Sequence, residues 1–258
     1  MSTLRKLQSD LAIVAEVRSL ATDILAEASR RIQGEGLQWS LWDNALIALA
    51  LKMYGAFERL VEDAREQRSS AMQHLKTLVE SLIYFAWVVQ IPEDTRARLV
   101  LAESLDEKLK FFRVIPGYAD AETLEAWEKM FRLATQGLEK EWKEFSRKKG
   151  KVEHKASEVE GYLPEWYNHI YRLACEPTHM TDLVDYLPTP QGSIRLGGGQ
   201  CSPLWALVAL DYGLAIMWWL LKACSDGFGL GLSEKVDDLE SRHTTERMAA
   251  EIGQGDQW

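Results

Sequence analysis

Cysteine is scarce in this sequence of 258 residues, which contains only three copies of it. Cys175, Cys201 and Cys224 are widely spaced, and no two of them form a C-x-x-C motif. This pattern excludes a disulfide framework and argues against a zinc site. Free thiols suit a reducing compartment, so we expect a cytoplasmic protein with no metal and no other cofactor.

Basic residues are outnumbered, because 30 Lys and Arg stand against 39 Asp and Glu and give a net charge of -9. An acidic surface repels a polyanion unless its basic groups are concentrated. Net charge therefore disfavours RNA as a partner without excluding it. One basic cluster is present, and we interpret it as a solvated helix end, with an RNA-facing patch as the alternative. Its members are Arg147, Lys148, Lys149, Lys151, His154 and Lys155.

Common catalytic motifs are also missing. The chain has no G-x-x-x-x-G-K-[ST], G-x-G-x-x-G or G-x-S-x-G, so neither a phosphate-binding loop nor a nucleophile elbow is indicated. One E-x-x-H motif runs from Glu176 to His179, but Pro177 lies inside it. Helical di-metal sites use two such motifs. We therefore predict no metal site.

The most apolar stretch, Leu204 to Leu221, is nearly long enough to cross a membrane. Asp211 lies near its centre, where a charge in a membrane span is costly. We therefore predict a buried core helix and no membrane association, with a span as the alternative.

Apolar residues recur at intervals of three and four along most of the chain, which is the period of amphipathic helices. We predict an all-α fold, a single-domain helical bundle of about seven to eight helices over residues 1–258. Most tryptophans lie in the apolar stripes, and we interpret them as core. The predicted segments are helices at about 4–33, 39–67, 69–90, 92–114 and 121–147, a polar connector to 161, a short helix at 165–175 with a second helical piece up to 187, a Gly/Pro-rich loop at 188–203 and C-terminal helices at 204–252.

The third of these helices carries the first candidate site residues. It is apolar nearly all round from Leu78 to Ile91, so Glu80 should be buried there. A buried carboxylate needs a partner, and Lys76 lies one turn earlier on the same face. We expect Glu80 to be bonded to a cation or to backbone donors, and a purely structural Lys76–Glu80 pair is the plainer alternative.

The second group of candidates lies on the short aromatic helix and just after it. Pro177 ends this helix, and His179 follows the break. Imidazole changes protonation near neutral pH, so His179 is the best candidate acid or base, although an ordinary surface histidine is the simpler interpretation. One polar face of the helix is formed, at spacings of four, three and four, by Glu165, His169, Arg172 and Glu176.

Two segments, LKTLVESLIYFAWVV from Leu75 and YRLACEPTHMTDLVDYL from Tyr171, resemble the signature regions of the bacterial domain-of-unknown-function 5677 family. The resemblance covers residues 69–187. Lysine stands where the family usually has arginine, and Cys175 where it usually has serine, and these departures weaken the transfer of a guanidinium-dependent or serine-dependent role. The resemblance implies a site that includes Lys76, Glu80, Tyr171 and His179.

That family is in turn similar to helical HEPN-type domains, whose nuclease members use an arginine and a histidine with four to six residues between them. Arg172 and His179 have six residues between them. The resemblance implies a metal-independent attack by an RNA 2′-hydroxyl, with His179 as the base and Arg172 on the phosphate. Because two protomers often build such a site jointly, we expect a homo-oligomer, with a dimer as the first candidate.

Three functional classes stay open. We place first a helical scaffold associated with defence or with a toxin, second a metal-independent endoribonuclease, and third a helical enzyme that binds a small molecule or a metal. If the protein is an enzyme, the endoribonuclease is the leading hypothesis. Its site residues are then His179, Arg172, Glu80, Lys76 and Tyr171.

Overall fold

A computed structural model of the protein describes residues 2–34, 40–91, 93–115, 120–147, 152–161, 163–175 and 203–252. Every regular element within these ranges is a helix, which confirms the all-α prediction. We number as α8 one continuous helical run made of Leu163–Trp166, the π-helical Tyr167–Tyr171 and Arg172–Cys175. The other helices are α1 (Ser2–Gly34), α2 (Leu41–Arg65), α3 (Ser70–Val89), α4 (Asp94–Val114), α5 (Ala121–Thr135), α6 (Glu139–Arg147), α7 (Val152–Glu158), α9 (Pro203–Gly227) and α10 (Ser233–Ile252).

The described residues therefore form ten helices, more than the seven to eight predicted. The predicted helix 121–147 is divided in two, because the chain leaves the helix at Gln136 and Gly137 adopts a φ of 73°. Glycine reaches that left-handed conformation without a steric penalty. In addition, α7 occupies part of the predicted polar connector. It has only seven residues, too few for a helical period to show in the sequence.

Two predicted segments lie wholly or almost wholly outside the described residues. These are the helical piece up to 187 and the loop 188–203, of which only Pro203 is described. Pro203 is the first residue of α9, a position where proline is tolerated because its missing N–H would have no helical partner.

The chain divides into two compact units. The first comprises Met1–Arg31, Ala50–Leu82 and Glu165–Trp258, and the second comprises Ile32–Leu49 and Ile83–Pro164. The single domain over 1–258 stays a prediction.

The core of the first unit is built around long apolar helices. The stripe of α1 that includes Val17 and Ile24 is fully buried. Where α9 meets α2, a Cβ atom placed on Gly213 would lie 3.2 Å from Cδ1 of Leu60. Glycine therefore allows a closer approach of the two helices than a larger residue would.

Ion pairs connect the last helix to its neighbours in the first unit. Lys222 of α9 lies 2.6 Å from Asp237 of α10, and Arg242 of α10 lies 2.7 Å from Glu16 of α1. Both pairs are solvent-exposed, so they orient α10 more than they stabilise it.

The second unit is organised around α4, which packs against α5 and α6. Arg98 of α4 donates hydrogen bonds to the backbone carbonyls of Leu133, Ala134 and Gln136 at the end of α5. The last carbonyls of a helix have no partner within the helix. Arg98 therefore caps α5 from the neighbouring helix.

The interpretation of tryptophan as core residue is correct only in part. Of the described tryptophans, Trp87 and Trp218 are buried. Trp205 and Trp219 on α9 are exposed at 37% and 39%. Helix α9 thus presents large apolar side chains on its surface as well as in the core.

The apolar stretch from Leu204 to Leu221 is helical as predicted and forms most of α9. Within the described ranges, α9 alone is long and apolar enough to cross a membrane, and 61% of its most apolar window is buried inside the structure. Core helices pass the same test of length and composition, so this finding is weak evidence for a span.

Candidate functional site

Three of the predicted site residues come together where α3 meets α8 in the first unit. The Lys76 ammonium lies 5.7 Å from the centre of the Tyr171 ring, within cation–π range. The charge of Glu80, one turn further along α3, acts on the Tyr171 hydroxyl. All three side chains are half-buried. We call Lys76, Glu80, Tyr171 and the adjoining Cys175 the α3–α8 cluster.

The hydroxyl of Tyr171 is held in its protonated form. Burial raises its pKa, and the negative charge of Glu80 and a hydrogen bond with the Cys175 thiol raise it further. A phenol with a raised pKa keeps its proton at neutral pH. In the α3–α8 cluster Tyr171 is therefore a hydrogen-bond donor rather than a nucleophile or a base.

A π-helical turn, Tyr167–Tyr171, shapes this part of α8. Such turns are rare and are frequent at functional sites, because the extra residue per turn redirects the side chains that follow it. Tyr167 stacks on Tyr171 with ring centres 5.0 Å apart. The stack and the Lys76 ammonium together hold the Tyr171 ring in place.

The expectation that Glu80 is bonded to a cation or to backbone donors is wrong for the described residues. Its carboxylate is only half-buried, and it makes no hydrogen bond or ion pair in the part of the chain that the structure describes, not even with Lys76. Helix α3 is apolar around Glu80, as predicted, but one face near residues 76 and 80 remains accessible. A half-exposed carboxylate can be solvated by water and needs no protein partner.

Of the two remaining predicted site residues, Arg172 lies within the described residues and His179 does not. Arg172 follows the π-helical turn and is exposed. Tyr171, its neighbour in the chain, belongs to the α3–α8 cluster. His179 lies outside the described residues, as does the whole E-x-x-H motif. The convergence of Arg172 and His179 therefore stays a prediction.

Only three members of the basic cluster, Arg147, His154 and Lys155, lie within the described residues, so the choice between a solvated helix end and an RNA-facing patch stays a prediction. Lys155 is only 4% exposed, and its ammonium lies 4.5 Å from the ring centre of Tyr84 and 4.6 Å from that of Phe145. His154 pairs with Glu158 at 2.8 Å. Lys155 is thus enclosed within the second unit, whereas the side chain of His154 is 37% exposed, and both residues line a cavity of about 180 Å³.

One buried polar pair inside the first unit was not predicted from the sequence. Nε2 of His243 in α10 lies 2.9 Å from Oδ1 of Asp10 in α1, and both residues are buried. A signal was present, because Asp10 occupies a place in the apolar stripe between Leu7 and Val14, three and four residues away. Beyond His243, a groove of about 320 Å³ lies between α9 and α10.

No group of three or more His, Cys, Asp or Glu that could hold a metal ion occurs within the described ranges. This finding does not extend to residues 176–202, which include the E-x-x-H motif. The α3–α8 cluster offers instead a cation, a hydroxyl donor and a carboxylate, a set that can bind and orient a polar substrate.

Comparison with known proteins gives one match. The model of the family of unknown function DUF5677 matches residues 43–193, a range that includes the whole of α3 and α8. No curated protein matches the chain, and no solved structure matches it.

Proposed function

The chain belongs to the DUF5677 family, whose function is unknown, and we propose that this member is a metal-independent endoribonuclease that binds a phosphodiester at the α3–α8 cluster. One observation carries the proposal. The fold brings Lys76 of α3 to Tyr171 of α8 and places the charge of Glu80 beside the Tyr171 hydroxyl. A cation and a protonated hydroxyl side by side are complementary to the oxygens of a phosphodiester.

The proposed reaction is the attack of an RNA 2′-hydroxyl on the adjacent phosphorus atom. Lys76 and Arg172 bind the phosphate oxygens, where negative charge develops in the transition state. Tyr171 donates a hydrogen bond to one of these oxygens, and Glu80 helps to keep its hydroxyl protonated. His179, placed by its sequence position after α8, accepts the proton of the 2′-hydroxyl.

The test is cleavage of single-stranded RNA by the purified protein in EDTA, which removes divalent metal. We expect the wild type to cut and His179→Ala to lose about 10²- to 10⁴-fold in rate. Lys76→Ala should weaken cleavage through the lost phosphate contact. Lys52→Ala is the matched control, because Lys52 is an exposed lysine on α2 in the same unit.

Two results would contradict this proposal. One is intact RNA after incubation with the folded wild type. The other is equal cleavage by wild type, His179→Ala and Lys76→Ala, which would point to a contaminating nuclease.

A second candidate is a non-catalytic scaffold of a defence or toxin system, acting in the cytoplasm as a homo-dimer. The exposed apolar side chains of α9 favour it, since Leu204, Trp205 and Trp219 are all at least 37% exposed. Tryptophan is enriched at protein interfaces because it buries a large area.

The scaffold candidate makes its own prediction. Light scattering of the wild type should give a dimer mass, and Trp205→Ala with Trp219→Ala should shift it toward the monomer. A monomeric wild type would contradict a dimer through α9, and recovery of the protein only from membranes would contradict the cytoplasmic location.

A further inference from the structure

The last two helices, α9 and α10, run antiparallel and contact each other at two places that enclose a groove. Trp218 of α9 lies beside His243 of α10, with ring centres 6.3 Å apart. Asp211, two turns earlier on α9, accepts two hydrogen bonds from the guanidinium of Arg247, one turn later on α10. These contacts form the two ends of the groove of about 320 Å³ that both helices line, and we call it the hairpin groove.

The hairpin groove has the size of one small organic molecule. Between its two end contacts α10 advances by about 6 Å and α9 by about 10 Å, since a helix rises by roughly 1.5 Å per residue. The middle of the groove is lined by Leu214, Ala215 and Thr244. The hydroxyl of Thr244 donates to the backbone carbonyl of Glu240, so the middle is mainly apolar. Apolar walls with a few polar groups at the ends are typical of small-molecule sites.

One end of the hairpin groove is formed by a histidine that a buried carboxylate orients. His243 is 5% exposed, and its Nε2 lies 2.9 Å from Oδ1 of the buried Asp10. A carboxylate only accepts hydrogen bonds, so Nε2 carries a hydrogen and Nδ1 is left for another partner. Nδ1 makes no hydrogen bond within the described ranges and is accessible, so it faces the groove that His243 lines.

A carboxylate gives the same end of the groove a negative charge. Glu240 lines the groove three residues before His243, and its side chain makes no hydrogen bond or ion pair with any described residue. The neighbouring cation, Lys222, is already paired with Asp237 at 2.6 Å. At the opposite end, the charges of the ion pair cancel. The net charge is therefore negative, and it stays negative when the imidazole is protonated, because Asp10 balances that proton.

We infer that the hairpin groove binds a small primary amine as its ammonium ion, with an apolar body of about the size of one ring. The ammonium donates to the Glu240 carboxylate and to Nδ1 of the neutral His243 imidazole, which are acceptors at the same end. The body packs in the apolar middle, where it removes apolar surface from water. This inference does not rest on the proposed ribonuclease function, because both helices lie outside the family match over residues 43–193.

Three probes that share one aromatic ring test the inference by calorimetric titration of the full chain. Phenethylamine carries the ammonium, phenethyl alcohol has a neutral hydroxyl in its place, and phenylacetate has a carboxylate. We expect phenethylamine to bind about 10-fold more tightly than phenethyl alcohol, because hydrogen bonds between charged groups are the stronger ones. Phenylacetate should bind more weakly still, because the groove repels an anion.

Two variants test whether the amine binds in the hairpin groove. Ala215→Phe fills the middle of the groove without changing the pair of His243 with Asp10, and it should weaken binding by about 10-fold or more. Glu240→Gln keeps the shape and removes the charge, so it should weaken the amine by about 10-fold and leave phenethyl alcohol unchanged. Glu234→Gln is the matched control, because Glu234 is an exposed acid on α10 that does not line this groove. Circular dichroism confirms that each variant is folded.

Three results would overturn the inference. One is the absence of phenethylamine binding to the folded wild type. Another is equal affinity for the three probes, which would show an apolar groove that does not select a cation. The third is amine binding of wild-type strength in folded Ala215→Phe or in Glu240→Gln, which would place the amine elsewhere on the chain.

Discussion

Replacing His243 by leucine removes the hydrogen-bond partner of a carboxylate that is completely shielded from water. Asp10 is 0% exposed and His243 5%, and their contact of 2.9 Å connects α1 to α10. The second oxygen of Asp10, Oδ2, has no hydrogen-bond partner in the part of the chain that is described. In His243→Leu neither oxygen of this carboxylate would be paired.

The magnitude follows from the burial of the pair. Leaving a buried hydrogen-bonding group without its partner costs about 1–3 kcal/mol, and more when that group is a carboxylate, so His243→Leu should lower the free energy of unfolding by at least that amount. Asp10→Val leaves a buried ring nitrogen without its acceptor and should cost about 1–3 kcal/mol. In the double variant apolar side chains replace both groups, and we expect its stability to lie near that of the wild type. The single losses should therefore be strongly non-additive.

The measurement is urea unfolding of the four proteins at neutral pH, followed by circular dichroism. His154→Leu is the control, since its pair with Glu158 is an i,i+4 contact that is 37% exposed on both sides. Exposed pairs contribute about 0–1 kcal/mol. Additive losses in the double variant, or a His243→Leu loss no larger than that of the control, would refute this reasoning.

Other predictions concern thiols and a helix cap. Burial raises the pKa of Cys224 to about 12, so iodoacetamide should modify the half-buried Cys175 first and Cys224 only after unfolding, as peptide mapping would show. Because the pKa of the Cys224 thiol is raised on folding, the protonated thiol stabilises the folded state at pH values below 9.0, the ordinary thiol pKa. This contribution is lost as the pH rises from 9.0 toward about 12, so Cys224→Ala should lose less stability than the wild type over that pH range. Arg98→Ala should lower the free energy of unfolding by about 1–3 kcal/mol in chemical unfolding, because it uncaps α5. Arg132 is exposed, and Arg132→Ala should cost less than about 0.5 kcal/mol. Equal losses in the two variants would contradict the capping role.

The helices themselves could be predicted well where they are long and periodic. The predicted ends of α3 and α4 agree with the structure within two residues, because apolar spacing and the prolines near their ends are local signals. The break at Gly137 could not be predicted in the same way. One glycine within a helical pattern is tolerated, and the capping by Arg98 that favours ending α5 there comes from a residue 35 or more positions away.

The candidate site could be predicted in its membership but not in its contacts. Periodicity identified Glu80 as a lone charge in an apolar helix, and the resemblance to the family added Tyr171. The sequence did not indicate that Lys76 would lie over the Tyr171 ring rather than pair with Glu80. That choice depends on how α8 packs against α3, and on a π-helical turn that has no clear sequence signal.

By itself, then, the sequence determined the all-α class, the ends of the longer helices and the family. These properties depend on residues within a few positions of one another, or on motifs that can be compared directly. Only the tertiary structure decided that Lys155 is enclosed by two aromatic rings and that Asp10 meets His243, which is 233 residues away. Burial of a charge is set by which helices pack together, and a polar side chain looks the same in the sequence whether its partner is water or a distant residue.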